Sequence, residues 1–280
     1  LGMDKEIYET LIAEQFKGKE KLIAPNIKAL NIGYDYASEN LNGSCEIKVN
    51  KSEKTKGMIL TSGNDASGLG CVYGGATVCS WYPITPSTSL AEAFTDYSEK
   101  LRIEENTNKN KYAIIQAEDE LAAIGMAIGA NWNGARAFTA TSGPGISLMS
   151  EFLGLAYFAE VPLVVFDIQR GGPSTGMPTR TQQSDILSCA YASHGDTKHV
   201  LLIPSDPKEC FEFAAEAFDL ADRIQTPVIV LSDLDLGMND WSCPEFEWDD
   251  SKTYDKGKVL HAKDLEEIET FGRYLDVDGD

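Results

Sequence analysis

The sequence predicts an α/β fold in which a six-stranded, mostly parallel sheet carries helices on both faces, preceded by a helical segment. Six short apolar runs recur along the chain, and amphipathic stretches separate most of them. The runs are continuously apolar, which is typical of strands buried on both faces of a parallel sheet. The chain has 280 residues, of which 42% are hydrophobic, so it can bury a sizeable core and is not disordered.

The first fifty residues differ from the rest of the chain. Ile7, Leu11 and Phe16 recur at helical spacing, and a second helical stretch runs over about 26–40. Residues 44–57 are polar, rich in lysine and poorly periodic, as linkers are. We therefore expect a helical segment over 1–50 and a domain boundary just after it.

The regular βα pattern occupies 57–236. Residues 57–61 are predicted to form either a short strand or the start of a helix. A helix of small residues is predicted over about 66–77. The six predicted strands are 78–84, 112–116, 135–140, 161–168, 199–203 and 226–232. The helices between them are about 89–102, 119–132, 146–159, 182–192 and 207–224. Residues 237–280 are expected to form an acidic tail that leads to a further domain.

Composition excludes several function classes. The formal charge is 24 − 44 = −20, which argues against a non-specific nucleic-acid or anionic-membrane binder. The six scattered cysteines contain no C-x-x-C pair, so we expect no zinc or iron–sulfur site in this chain and a reducing, cytoplasmic location. No apolar run approaches the roughly 18 residues of a membrane span, so no membrane partner is expected.

Ligands of an open parallel sheet bind beyond the carboxyl ends of its strands, so the residues there are the candidates. Thr85 and Pro86 follow the first strand, in a stiff turn where the Thr85 hydroxyl would face the crevice. Thr141 and Ser142 follow the third strand and precede two glycines, so backbone N–H groups there would face a phosphate or a ring. A capped turn without a ligand explains both stretches equally well or better.

Three acids, Glu118, Asp119 and Glu120, follow the second strand. Asp119 and Glu120 suit a helix N-terminus, where acids complement the helix dipole. Glu118 is the last strand-like residue, and the helix after it is almost entirely small or apolar. We therefore expect the Glu118 carboxyl to be desolvated and able to hold a proton, with a plain N-cap as the equal alternative.

The fourth strand leads into a long glycine- and proline-rich loop with Arg170 and Arg180 at its two ends. Loops of this length at a binding edge are often functional. Arg170 emerges from a buried strand, so it is placed to bind a carboxylate through its bidentate fork, although a salt bridge to an acid of the chain is the alternative. The glycines of 68–75 lack the spacing of a dinucleotide fingerprint, and we expect them to let a helix pack closely on the sheet.

Four motifs resemble, in order and spacing, the alpha subunit of 2-oxoacid:ferredoxin oxidoreductases. They are YPITPS (82–87), QAEDE (116–120), TATSGPG (139–145) and QRGGPSTGMPT (169–179). The resemblance covers about 57–236, and residues 1–50 resemble the end of the gamma domain that some members carry ahead of it. It implies the pyrimidine-binding domain of a thiamine diphosphate enzyme. The implied reaction converts a 2-oxoacid, coenzyme A and oxidised ferredoxin into acyl-CoA, carbon dioxide and reduced ferredoxin.

The resemblance also implies residue roles. Glu118 matches the glutamate on the aminopyrimidine ring, and Pro86, Thr141 and Ser142 fall in cofactor-binding motifs. Thr85 and Arg170 match substrate-binding residues, Arg170 for the carboxylate. Thr179 falls in a loop that shapes side-chain selectivity. We add Arg180 as a second cation that would meet a distal carboxylate and so favour 2-oxoglutarate; pyruvate, branched-chain or aryl 2-oxoacids are the alternatives.

The implied partners follow from what this sequence lacks. Members of the family hold Mg²⁺ and the diphosphate through a GDG-to-Asn motif, which is not found here. A beta subunit with that motif and a [4Fe-4S] cluster is therefore implied, together with ferredoxin and a second alpha–beta unit. The opposing hypothesis is a non-catalytic assembly module that keeps the fold for its interface.

Overall fold

The computed structural model describes residues 3–41 and 46–275, and the chain divides into two units, Leu1–Lys56 and Gly57–Asp280. The first unit contains α1 (Lys5–Gln15), a short 3-10 helix (Glu20–Leu22) and α2 (Ile23–Asn40). The Asp4 side chain caps α1 by accepting a hydrogen bond from the Glu6 amide. The helical segment expected ahead of the sheet is present.

The second unit is built on a six-stranded sheet whose paired strands are all parallel, which confirms the predicted fold class. A short strand, β1 (Met58–Thr61), precedes it. The strands of the sheet are β2 (Val78–Trp81), β3 (Ala113–Gln116), β4 (Ala137–Thr141), β5 (Leu163–Gln169), β6 (Val200–Leu202) and β7 (Pro227–Asp233). Their order is β3-β2-β4-β5-β7-β6. The central strands β4, β5 and β7 are buried along their whole length.

Eight helices of the described residues belong to this unit. They are α3 (Gly63–Tyr73), α4 (Thr88–Leu101), α5 (Glu120–Trp132), α6 (Gly143–Phe158), α7 (Ile186–Ala190), α8 (Pro207–Ile224), α9 (Leu234–Met238) and α10 (Ala262–Glu267). Asp119 caps α5 and Asp206 caps α8 through side-chain bonds to backbone amides. Among the helices in the described part of the chain, none has the length and apolarity needed to cross a membrane.

Two hydrophobic layers cover the sheet. Leu90, Phe94 and Phe218 from α4 and α8 pack with Phe138 and Phe166 of the central strands on one face. Residues of α5, α6 and α7 pack on the other face, where Ile124, Met149, Leu153 and Cys189 are fully buried against Val165. Side chains of one strand alternate between the two layers, as the pleat requires.

The glycines of α3 serve helix–helix contacts, so the expectation that they pack against the sheet is wrong. A Cβ at Gly68 would lie 2.9 Å from the Phe94 amide of α4, and one at Gly74 would lie 2.8 Å from the Ala215 Cα of α8. Helix α3 therefore lies between α4 and α8, at a distance that only glycine permits.

The segment after α9 adds a strand. β8 (Trp241–Pro244) pairs antiparallel with β1, with Met58 opposite Pro244, so 57–61 forms a strand and not a helix start. Beyond β8, the ring of Phe246 stacks on Phe211 at 4.8 Å, and Trp248 meets the edge of Tyr73 at 5.1 Å. The chain after residue 236 thus covers α3 and α8 with aromatic side chains.

Candidate active site

The candidate site lies at the carboxyl edge of the sheet, where the strand order reverses. The chain runs from β2 outward to β3 and then returns to β4 on the other side of β2. Loops after β2 and β4 therefore diverge and leave a crevice, which is the usual ligand position in open α/β sheets. The loop after β5 reaches the same edge, because β5 is parallel to β4 and next to it.

The enclosed carboxyl at this edge is Glu120, and the expectation that the Glu118 carboxyl is desolvated is wrong. Glu118 is exposed, whereas Glu120 is 8% exposed. The reason is the start of α5: Asp119 is the N-cap, so Glu120 begins the helix and points back across the turn. Its Cγ lies 3.1 Å from where a Cβ of Gly145 would be, beside the N-terminus of α6.

Thr141, Ser142 and Gly145 form the wall opposite Glu120. Thr141 and Ser142 are fully buried, and a Cβ on Gly145 would collide with the Thr141 hydroxyl. Ser142 is the N-cap of α6 but makes no side-chain capping bond, and its hydroxyl finds no hydrogen-bond partner in the described residues. A buried hydroxyl without a partner is unusual and is suited to a bound polar group.

Arg170 joins two walls of the crevice. It is 7% exposed; its Nη1 donates to the Thr85 carbonyl at 2.6 Å and its Nη2 donates to the Thr175 carbonyl. Its buried Nε has no partner among the described residues. Burial lowers the pKa of the Arg170 guanidinium, and the nearby Glu120 carboxylate partly offsets this effect. Within the residues that the structure describes, Arg170 forms no salt bridge and bonds backbone carbonyls instead.

Asn64 of α3 supports the turn after β2. Pro86 is buried, and its carbonyl accepts a hydrogen bond from Asn64 Nδ2 at 2.8 Å. Ser87 is the N-cap of α4 without a side-chain capping bond. Thr85 is exposed, and its backbone carbonyl, rather than its hydroxyl, contacts Arg170. The role of the Thr85 hydroxyl stays a prediction.

Thr179 and Arg180 lie apart from this cluster. Both are exposed, and the contact of the Arg180 side chain is a 3.4 Å hydrogen bond from Nη1 to the Thr179 carbonyl. The backbone of Arg180 has a different role, since its carbonyl accepts from the Gly171 amide at 2.7 Å. The structure therefore does not bring the Arg180 cation to Arg170 or Glu120.

Two further acids lie behind the Arg170 loop, which we define as residues 170–182. Asp167 on β5 is fully buried, and Asp185 at the start of α7 is half-buried. Asp167 Oδ2 accepts a weak 3.4 Å hydrogen bond from the Cys189 thiol, whereas its Oδ1 and the Oδ2 of Asp185 find no partner within the described residues. Burial raises the pKa of both carboxyls, and Asp185 raises that of Asp167 further.

Sequence reasoning missed Glu120, Asn64, Gln182 and Asp185. For Glu120 a signal exists, because identifying Asp119 as the N-cap places Glu120 at the first helical position. The predicted helix over 182–192 was also too long, since α7 spans only Ile186–Ala190. Residues 182–185 instead make three separate hydrogen bonds: Gln182 accepts from the Gly172 amide in the Arg170 loop, Gln183 donates to Asp233, and the Asp185 amide donates to Gln169.

In the ranges 3–41 and 46–275, no group of three or more acidic, cysteine or histidine side chains is arranged to hold a metal ion. The five described cysteines are free and buried, and Cys45 lies outside the described residues. Chemically, the crevice offers one enclosed carboxyl, the buried hydroxyls of Thr141 and Ser142, and one buried cation. Such a set can bind a nitrogen heterocycle and a carboxylate side by side.

The chain is similar to a known family over most of its length. Residues 69–270 match the family described as pyruvate flavodoxin/ferredoxin oxidoreductase, thiamine diphosphate-binding. The alpha subunit of 2-oxoacid:ferredoxin oxidoreductase 2 from Aeropyrum pernix is 41% identical over 267 residues, which cover 93% of this chain and 41% of that protein. The KorA subunit of 2-oxoglutarate synthase from Methanothermobacter marburgensis is 46% identical over 171 residues, or 61% of this chain and 43% of that one.

One solved structure is also similar to this chain. The 2-oxoglutarate:ferredoxin oxidoreductase from Magnetococcus marinus, with 2-oxoglutarate, coenzyme A and succinyl-CoA bound, is 36% identical with a TM-score of 0.76. The match covers 91% of this chain and 45% of that one. This chain thus spans less than half the length of these relatives.

Proposed function

Because this chain belongs to the thiamine diphosphate-binding family of pyruvate flavodoxin/ferredoxin oxidoreductases, we propose that it forms the aminopyrimidine and substrate-carboxylate half of a 2-oxoacid:ferredoxin oxidoreductase site. The proposed reaction is the oxidative decarboxylation of a 2-oxoacid to an acyl-CoA, with reduction of ferredoxin. The observation that carries the proposal is the enclosed Glu120 carboxyl within the electrostatic reach of Arg170.

The residues of the crevice fit an aminopyrimidine ring. Glu120 offers a carboxyl in a dry position, the Ser142 hydroxyl lacks a partner among the described residues, and Gly145 lets Thr141 and Glu120 pack closely beside the N-terminus of α6. When bound, thiamine diphosphate supplies the electron sink that a 2-oxoacid needs to lose carbon dioxide. The Glu120 carboxyl would form a hydrogen bond with a nitrogen of the ring and keep a proton at that nitrogen. Because Glu120 is buried, water would not compete for this hydrogen bond.

Arg170 would bind the C1 carboxylate that all 2-oxoacids share. Its backbone-bound Nη1 and Nη2 fix the guanidinium plane, and each of these nitrogens has a second N–H to donate. The positive charge also offsets the negative charge of Glu120 and of the substrate in a site of low dielectric. This role depends on charge and on a fork geometry, so lysine would not replace it.

The substrate we propose is 2-oxoglutarate. It is supported by the similarity to the 2-oxoglutarate synthase subunit and to the oxidoreductase solved with 2-oxoglutarate bound. Arg180 stays a predicted second cation and does not carry the argument, because the hydrogen bond of its exposed side chain goes to the Thr179 carbonyl. Thr179 shares that exposed loop and stays a predicted selectivity residue.

We propose that a beta subunit completes the site, with Mg²⁺ and a [4Fe-4S] cluster, and that a second alpha–beta unit, coenzyme A and ferredoxin take part. The relatives are named as subunits, and this chain carries no group of metal ligands in its described residues. The outer faces of α6 and α7 support a partner, because Phe158 is 89% and Leu187 74% exposed there. The buried free cysteines suit a cytoplasmic, reducing location.

The test compares two glutamates that lie two residues apart. Glu120→Gln keeps the side-chain shape but holds a proton poorly at the ring nitrogen, so the alpha–beta complex is expected to lose at least about 100-fold in kcat. Glu118→Gln, on the exposed carboxyl, is the matched control and should change kcat by less than about threefold. The assay is dye reduction driven by 2-oxoglutarate and coenzyme A, with cofactor binding and assembly measured separately.

Each other outcome has a defined meaning. Full activity of Glu120→Gln, or loss in Glu118→Gln alone, would refute the role of Glu120. A wild-type complex that assembles but turns over no 2-oxoacid would favour the non-catalytic assembly module. Faster turnover of pyruvate than of 2-oxoglutarate would overturn the substrate assignment.

A further inference from the structure

The Arg170 loop is closed at its base by a side chain outside the known motifs. Gln182 Oε1 accepts a hydrogen bond from the Gly172 amide at 2.9 Å, across ten residues of chain. Next to it, the Gly171 amide donates to the Arg180 carbonyl at 2.7 Å, and the Met177 amide donates to the Gly171 carbonyl at 2.6 Å. Two hydrogen bonds therefore join the two ends of the loop, and a third ties its middle to Gly171.

The close approach of Gln182 depends on glycine. A Cβ on Gly171 would lie 3.2 Å from Gln182 Oε1, tighter than an ordinary carbon contact. Gly172 has a φ of +87°, a conformation that residues with a side chain rarely adopt. The glycine pair and Gln182 thus form one unit at the base of the loop.

The end of β5 beneath the loop is rigidly held. Gln169 is 1% exposed, and both ends of its amide are used: Nε2 donates to the Ser232 carbonyl at 3.1 Å and Oε1 accepts from the Asp185 amide at 3.0 Å. The backbone that carries Arg170 is therefore fixed on its N-terminal side. On its C-terminal side, the nearest side-chain anchor is the bond from Gly172 to Gln182.

The guanidinium of Arg170 depends on the loop shape, since its Nη2 donates to the Thr175 carbonyl within that loop. Thr175 is exposed, so the closed base of the loop keeps its carbonyl in place. We propose that Gln182 is a positioning residue, which holds the Arg170 loop closed so that the Arg170 fork faces the substrate carboxylate. This inference rests on the proposed function of Arg170.

Loss of Gln182 is expected to weaken substrate binding and to leave the chemical step unaffected. Gln182 is exposed and would touch no reacting atom, but an arginine displaced by about 1 Å binds a carboxylate less well. The C1 carboxylate is common to all 2-oxoacids, so loss of Gln182 would affect them all. A structural role without positioning would instead lower stability and leave KM unchanged.

The test uses three variants of the assembled alpha–beta complex. Gln182→Met keeps the length of the side chain and removes the acceptor, whereas Gln182→Glu keeps an acceptor oxygen. Gln183→Met is the matched control, because Gln183 donates to Asp233, not to the loop base. The measurements are KM and kcat for 2-oxoglutarate and 2-oxobutanoate, and hydrogen exchange of a peptide covering 171–177.

We expect Gln182→Met to raise KM for both substrates about three- to tenfold, the range of one neutral hydrogen bond, with kcat nearly unchanged. Exchange in 171–177 should become faster, and Gln182→Glu should restore its protection. An unchanged KM, a change in kcat alone, or equal behaviour of Gln183→Met would overturn the inference. If the wild-type complex turns over no 2-oxoacid, the proposed function fails, and unchanged exchange in Gln182→Met then refutes the closed loop base.

Discussion

Asp167 is a fully enclosed carboxyl on a central strand of the sheet. One of its oxygens accepts from the Cys189 thiol, and the other has no partner in the described residues. Burial raises the pKa of Asp167 most, Asp185 raises it further, and the thiol hydrogen bond lowers it. The native state therefore holds this proton more tightly than the unfolded chain, where aspartate has an ordinary pKa.

The sign of the pH effect follows from that difference. The stabilisation is complete below the ordinary pKa of aspartate and is lost as the pH rises through the raised native pKa. Asp167→Asn cannot ionise, so it should melt at least about 2 °C higher than the wild type at pH 8, with a smaller difference toward pH 4. Melting curves over this range measure it.

An exposed aspartate provides the control for this pH dependence. Asp196→Asn should follow the wild-type curve, because Asp196 faces solvent. Parallel curves for wild type and Asp167→Asn would show that Asp167 does not carry the pH dependence.

At the scale of elements, Arg136 links β4 to α8 and to the segment after β8. Its side chain is buried and pairs with Asp219 at 2.7 Å and Asp222 at 2.9 Å. The guanidinium also donates to the Gly74 carbonyl at 2.8 Å and lies 4.9 Å from the centre of the Tyr254 ring. The Arg136 guanidinium therefore connects the start of β4 with the end of α3, with α8 and with the segment around Tyr254.

Removing that cation leaves two buried carboxylates without a counter-charge. We expect Arg136→Ala to lower the free energy of unfolding by about 3–5 kcal/mol. Arg223→Ala is the matched control: its ion pairs are half-exposed at 3.7–4.0 Å, so the loss should stay below about 1 kcal/mol. Urea unfolding of both variants measures the difference, and equal losses would show that the Arg136 network is not a major source of stability.

At the scale of the whole molecule, the described unit that begins at Gly57 does not end with the last strand of its large sheet. β8 pairs with β1, and Phe246 and Trp248 cover Phe211 and Tyr73 beyond it. A domain that ended at residue 236, as the sequence predicts, would leave β1 unpaired and these rings exposed. Exposed edges and aromatic patches promote aggregation.

A truncation measures this effect. A chain of 57–236 should be less stable than one of 57–275 by several kcal/mol, because it loses several buried aromatic contacts and a strand. Thermal melting and light scattering of the two chains give the comparison. Equal melting temperatures would restore the predicted boundary at 236.

How much the sequence predicts differs between the sheet and the site. The six apolar runs identify all six strands of the large sheet. The pattern is clearest for β4, β5 and β7, because strands buried on both faces have no polar side. Arg170 is also predictable, since it follows the longest such run and opens a glycine-rich loop. The hydrogen-bond partners of the Arg170 guanidinium are not predictable. Nη1 donates to the Thr85 carbonyl, 85 positions away, and Nη2 donates to the Thr175 carbonyl, five positions away across the folded loop.

The sequence by itself determined the parallel α/β architecture, the candidate strand ends and the resemblance to one family of oxidoreductases, because buried periodicity and short motifs are local properties of the chain. Only the tertiary structure decided that Glu120, rather than Glu118, is enclosed. It also decided that β8 returns to β1. Both outcomes depend on contacts between distant segments. An N-cap at Asp119 places Glu120 at the start of a helix, but the local pattern does not encode its burial beside Gly145 or the pairing of β8 with β1.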